Sequence, residues 1–224
     1  MYKKGLALCL LCLVSILACV PKESIKISPQ ERDALLKEKV EQQLKVFAKD
    51  EMKRQQLNAS IAISARRCLS CHASEGDKAN RACPNLAGQN PVYLAQQLQH
   101  FSDGRRKDFM MSTMAGPLSD DGKAILAVYF AGMPTRTAGG GTLDQQAKGK
   151  MVFVSRCAAC HGADGYGKEI FPRLAGQKIS YTAMMLREFR NPNSRRPNPI
   201  MLPIATALSE DEIQAVAAYI ANMQ

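Results

Sequence analysis

The feature that most limits what this chain can fold into is an internal repeat. Pro84-Asn85-Leu86-Ala87-Gly88-Gln89 recurs as Pro172-Arg173-Leu174-Ala175-Gly176-Gln177, and Tyr93, Leu98 and Phe101 recur as Tyr181, Leu186 and Phe189. Leu118-Ser119-Asp120-Asp121 recurs as Leu208-Ser209-Glu210-Asp211, and each copy runs on into a stretch bearing Tyr129 or Tyr219. Duplication at this spacing predicts two equivalent units in tandem. Each copy reads as a helix before a cysteine pair, a loop, a helix from about Tyr93 to Phe101, a Pro- or Gly-bearing loop, and a terminal helix capped by Ser119 or Ser209. Ser209 with Glu212 forms a capping box, whereas Gly122 stands in that slot of the first copy. No run alternates as a strand would, so the predicted fold is all-α. The boundaries fall at 60–137 for the first unit and 144–224 for the second. Residues 138–143 lie between them, and Gly139-Gly140-Gly141 there reads as a flexible linker.

Ahead of the repeat, residues 20–59 form an extension whose periodicity predicts one long helix over 28–57. Ser28 is the N-cap, Pro29 suits the first helical position and Glu31 completes a capping box. Leu36, Val40, Leu44 and Phe47 recur at helical spacing between Lys, Glu and Gln. Such a helix is a spacer, a docking element or a segment folded back on the globular part. Residues 1–19 read as an export signal: Lys3 and Lys4 precede an almost wholly apolar stretch, Gly5 to Val20, which is shorter than the ~20 residues that span a bilayer. Its end, Ile16-Leu17-Ala18-Cys19, resembles a lipobox, in which Cys19 is lipidated and anchors the mature chain. The alternatives are an ordinary signal cleaved nearby or an uncleaved one retained in the membrane.

Cys68-Leu69-Ser70-Cys71-His72 and Cys157-Ala158-Ala159-Cys160-His161 are both CxxCH, the haem c attachment sequence. The spacing has a physical reason. Residues three and four apart share a helix face, so both thiols reach the two vinyl groups of one porphyrin and the histidine points at its iron. Covalently held haem then serves as core, which suits a chain with few aromatics and no Trp. A structural zinc site needs further paired ligands, and the chain has 3 His in all. A thioredoxin-like CxxC needs a βαβ context. Two disulfides account for neither the histidines nor the repeat. The cofactors read from the sequence are therefore two haem c groups.

The sixth iron ligand must be available in both copies. His100 aligns with Glu188 and cannot serve twice. Met111 lies seven residues before Leu118, and Met201 lies seven before Leu208, a matched position. Met110 and Met114 compete in the first copy without counterparts at the same offset. Met184 and Met185 read as core filler.

Taken together, the two CxxCH motifs, the repeated P-x-L-A-G-Q, the Met before L-S-[DE]-x and the terminal helix with Tyr resemble the di-haem cytochrome c4 family over about residues 60–223. The resemblance implies two tandem class-I cytochrome c domains behind the long N-terminal helix. It implies Cys68, Cys71, Cys157 and Cys160 as haem attachment points, His72/Met111 and His161/Met201 as iron ligand pairs, and Pro84 and Pro172 as carbonyl acceptors for the proximal histidines. The chain departs from the pattern at Ala73, where the second copy has Gly162, and at Cys83, where it has Phe171. These departures predict unequal haem potentials. Cys83 reads as a buried free thiol.

The implied function is that of a periplasmic, lipoprotein-anchored electron carrier. It passes electrons singly between redox protein donors and acceptors of a respiratory chain, such as respiratory complexes or a terminal oxidase. It is not an enzyme and has no small-molecule substrate, because axial ligands on both sides leave no open iron site. The rival class, a di-haem peroxidase or thiosulfate-oxidising cytochrome, requires an open or differently ligated iron, for which only His100 and Cys83 are available. A third reading makes the chain a tethered subunit of a respiratory complex. The net charge of +10 is spread along the chain with no basic run interleaved with aromatics, which disfavours nucleic acid.

Overall fold

The computed structural model describes residues 27–49, 51–72 and 83–224. The export signal, Cys19 and Ala73 lie outside the described residues. All regular structure within them is helical: α1 Pro29–Lys49, α2 Glu51–His72, α3 Pro91–Ser102, α4 Phe109–Ala115, α5 Asp120–Ala131, α6 Leu143–Arg156, α7 Ala158–His161, α8 Ile179–Arg190, α9 Met201–Thr206 and α10 Glu210–Asn222. No described helix is long and apolar enough to cross a membrane.

The second unit closes α6 over α10. Phe153, Ile213, Val216, Ala217 and Ile220 form its core, with Leu186 and Phe189 from α8. Close approach is set by Gly149, where a Cβ would meet the backbone oxygen of Ala215 at 2.0 Å. The capping boxes Thr142/Gln145 and Ser209/Glu212 start the two helices, satisfying amides that have no partner within the first turn.

The first unit has the same plan with one substitution. Residues 28–57, expected as a single helix, divide into α1 and the start of α2, and α2 runs on through the first CxxCH motif. The expected Ser28/Glu31 cap is present: Glu31 N donates to Ser28 Oγ at 3.2 Å, and Ser28 N donates to the Glu31 carboxylate at 2.7 Å. α1 folds back on α3 and α5, and its Leu36 and Val40 are buried beside Ile61, Ala65, Ala124 and Ala127. The contact of Lys39 with Asp121 (2.6 Å) reproduces that of Lys148 with Asp211 (2.8 Å), and the two aspartates are repeat counterparts. Thus α1 lies against α5 much as α6 lies against α10.

The glycine-rich connection is tied down. Ala138 N donates to Gly176 O, Gly139 N to Ala221 O, and Asn222 Nδ2 to Gly140 O at 2.7 Å. Gly139, Gly140 and Gly141 all have positive φ, and a Cβ on Gly141 would stand 2.5 Å from Ala218 Cβ. These glycines let the chain turn tightly over α10, so a composition read as flexible serves close packing.

Candidate haem centres

Each CxxCH motif ends a helix: Cys68, Cys71 and His72 on α2, and Cys160 and His161 on α7 with Cys157 as its N-cap. Both histidines are buried. His72 Nδ1 lies 2.9 Å from Pro84 O and His161 Nδ1 lies 3.0 Å from Pro172 O. A carbonyl only accepts, so Nδ1 carries the proton and the lone pair is left on Nε2. Burial pushes both imidazoles below the ordinary histidine range, and the bond to each proline carbonyl opposes this only in part. A neutral imidazole with a fixed tautomer and a free Nε2 is what iron requires. Burial likewise holds the Cys68 and Cys157 thiols up, the latter to about 11. The donor chemistry in both copies, two thiols and a neutral imidazole on one helix end, fits haem c.

Met111 and Met201 occupy equivalent places in the opening turns of α4 and α9. Met111 N donates to Asp108 Oδ1 (2.9 Å) and Met201 N to Asn198 Oδ1 (3.0 Å). Asp108 and Asn198 are repeat counterparts, so the same side-chain oxygen three residues upstream accepts from each methionine amide, as the N-cap of α4 in the first copy and from the turn before α9 in the second. Met201 packs against the second core, whereas Met110 is largely exposed. His100 is engaged elsewhere, its Nε2 lying 3.0 Å from Asp33 Oδ2 of α1, with Arg105 bidentate on the same carboxylate at 2.8 Å. Cys83 is half-buried; burial pushes its thiol up, and Cys71 beside it adds to that. In the second copy Phe171 sets its ring edge-on to His161, with centroids 6.1 Å apart.

The repeated P-x-L-A-G-Q forms the seam between the units. Gln89 takes a bond from Arg173 N (2.6 Å) and donates to Arg173 O (2.8 Å); Gln177 takes one from Asn85 N (2.9 Å) and donates to Asn85 O (3.1 Å). Asn85 and Arg173 occupy the same slot of the motif, so the exchange is reciprocal about a pseudo-twofold axis. Within each unit the motif glycine donates to the end of the terminal helix, Gly88 N to Phe130 O and Gly176 N to Ile220 O, both at 2.9 Å. The recurrence of these glutamines is visible in the sequence, whereas their partners in the opposite copy are not.

Comparison with known proteins bears on the same residues. The Cytochrome c family profile matches residues 146–224, the second unit. Cytochrome c4 of Thiocapsa roseopersicina is 36% identical over 168 residues, spanning 70% of this chain and 86% of that protein. This chain belongs to the cytochrome c4 family. It is thus a di-haem c-type cytochrome, an electron carrier with covalently bound haem c in both units. The reduced recombinant cytochrome c4 from Pseudomonas stutzeri is a structural neighbour with a TM-score of 0.64 at 29% identity, covering 76% of this chain and 98% of that one. A thiosulfate dehydrogenase electron acceptor from Stutzerimonas stutzeri is 33% identical, over 71% of this chain and 80% of that protein.

Proposed function

We infer that this cytochrome carries electrons one at a time between redox proteins of a respiratory chain in the periplasm, through two irons each ligated by His and Met. The pairs are His72 with Met111 and His161 with Met201. Cys68 and Cys71 hold one porphyrin and Cys157 and Cys160 the other, while Pro84 and Pro172 orient the histidines. The observation that carries this reading is the matched pair of methionine-bearing turns, in each of which the methionine amide donates to an Asx side chain three residues upstream. Bound haem supplies a one-electron iron couple, which His/Met ligation holds at higher potential than harder ligand sets do.

The chain's own part is to fix the ligands, exclude water and present the haem edges. An apolar stretch preceded by Lys3 and Lys4 within residues 1–19 supports export, and Cys19 supports a lipid anchor. The first unit is taken as 60–137, the linker as 138–143 and the second unit as 144–224, with 20–59 ahead of them. Relatives named as thiosulfate dehydrogenase electron acceptors make a dehydrogenase of a reduced sulfur compound one candidate donor.

The test is the far-red methionine-to-ferric-haem band, quantified per haem on protein matured with haem c. Full intensity from both haems is expected, with loss of one haem's share in Met111→Ala and the other's in Met201→Ala. A band from one haem only, or ready carbon monoxide binding by the reduced protein, overturns the assignment.

A further inference from the structure

A cavity of about 410 Å³ opens where the loop after α3 meets the loop after α8. His100, Arg105 and Lys107 line it from the first unit, and Ser194 and Arg195 from the second. A bond across the seam, Lys107 N to Arg195 O at 2.8 Å, holds the two loops against one another. Among the described residues, no acidic side chain lines this cavity.

Its cations are not equivalent. Arg105 and Arg195 are repeat counterparts, yet only Arg105 is neutralised within the fold. It is bidentate on Asp33 at 2.8 Å and bound to Asp103 at 2.7 Å, and His100 shares Asp33. The second unit lacks both carboxylates: Asp33 belongs to α1, and Asn191 caps the end of α8 where Asp103 caps α3. Glu188 Oε1 comes within 3.9 Å of Arg195 Nε, but that oxygen already accepts from Ser194 Oγ at 3.1 Å and from Arg195 N at 2.8 Å. The Arg195 side chain is 69% exposed. Lys107, also exposed, makes no ion pair among the described residues. One weakly paired and one unpaired cation therefore line a single cavity from opposite units.

Two like charges brought together repel, and an anion bridging them turns that repulsion into attraction to a common partner. A guanidinium offers a planar fork of donors and an ammonium a point charge, and both are suited to phosphate oxygens. The volume lies in the range of small-ligand sites. We propose that Lys107 and Arg195 form a site for a phosphate group, free or carried by a lipid headgroup, whose binding ties the two units together. A ligand that touches both units only when they are docked stabilises the docked arrangement. The inference is independent of the iron ligands.

The test is isothermal titration of the full haem-loaded protein with inorganic phosphate at low ionic strength, with chloride at matched ionic strength as reference. Saturable one-to-one binding is expected, weakened about tenfold in Lys107→Gln and in Arg195→Gln, each of which removes a charged donor. Both side chains are exposed and the backbone bond between these residues survives either change, so the variants fold. Lys150→Gln, at an exposed position of α6, should bind as the native chain does. Equal weakening in Lys150→Gln would reduce the effect to overall charge and overturn the site, as would binding that survives both seam substitutions. Vesicles separate the two sources. Should free phosphate not bind, stronger co-sedimentation with phosphatidylglycerol than with phosphatidylcholine vesicles, lost in both seam variants, places the phosphate on a lipid. Neither phosphate binding nor a lipid preference overturns the proposal. Haem count and the far-red band, recorded on the same samples, report on the carrier reading separately.

Discussion

Gly149→Ala tests whether the second unit is closed by direct contact between the α6 and α10 backbones. The substituted Cβ would stand 2.0 Å from Ala215 O, 2.5 Å from Ala215 C and 2.8 Å from Tyr219 Cβ. Two effects oppose one another. Alanine favours the helix over glycine by about 1 kcal/mol. Against this, a carbon–oxygen contact needs roughly 3.3 Å, so the crossing must open by more than ~1 Å. The obstacle is backbone, which no rotamer change relieves. Overpacking costs about 1–3 kcal/mol, and more where backbone has to move. Opening the crossing also pulls Phe153 from Tyr219, whose rings lie 5.5 Å apart. The net effect is a loss of about 2 kcal/mol, or a fall in Tm of roughly 10 °C for a domain of this size. Gly122→Ala provides the opposite sign, because its nearest neighbour is Ser119 Oγ at 3.3 Å and its φ is not positive; it should gain about 0.5 kcal/mol. Calorimetry of the haem-loaded protein reads both variants. An unchanged or raised Tm in Gly149→Ala would refute the close-crossing account.

Three further outcomes follow from the geometry. Gln177→Ala strips partners from both Asn85 N and Asn85 O, a cost of about 2–4 kcal/mol at a buried seam, and should split a single unfolding transition into two by calorimetry. Asp33 is pushed up by partial burial but held below the usual carboxylate range by His100 and Arg105. A depressed folded pKa stabilises above the unfolded value and is lost as pH falls through the folded one, so hydrogen exchange of α1 should quicken below about pH 4, and Asp33→Asn should exchange fast at neutral pH without that acid dependence. Cys83→Phe should give His72 the edge-on ring that His161 has from Phe171 and bring the two haem potentials closer together, as a redox titration would show.

What was legible in the sequence was what contiguous spacing must encode. Thiols and an imidazole for one porphyrin have to lie within five residues, so Cys68 to His72 and Cys157 to His161 were readable, and a second copy made the reading firm. The two prolines, the terminal caps and the methionine offset were readable for the same reason. What escaped depends on residues distant in the chain. His100 looks like a spare ligand until Asp33, 67 positions away, is seen bound to it. After Pro29 the 28–57 stretch has neither Pro nor Gly to mark an end, so its division comes from tertiary burial of Leu36 and Val40 and not from local propensity. The linker glycines and the seam glutamines acquire meaning only once two units dock, because their partners belong to the opposite copy or to the final helix.

The positions where the copies differ bear on function. The second unit closes with its own leading helix, places Phe171 against His161 and is the part matched by the Cytochrome c profile. The first recruits α1 for packing against α5 and has Cys83 in the ring's place. At the seam, Gln97 and Met185 are counterparts, so an amide supports Arg106 where a thioether serves both Arg106 and Arg196. Ligand-bearing elements are therefore preserved between the copies, and the differences collect in the surroundings that tune an iron couple. Because ~59 mV makes a tenfold bias for one electron, differences in packing and charge of this kind suffice to order the two haems. With the same His/Met pair proposed for both irons, a direction of electron flow would come from these non-identical neighbours.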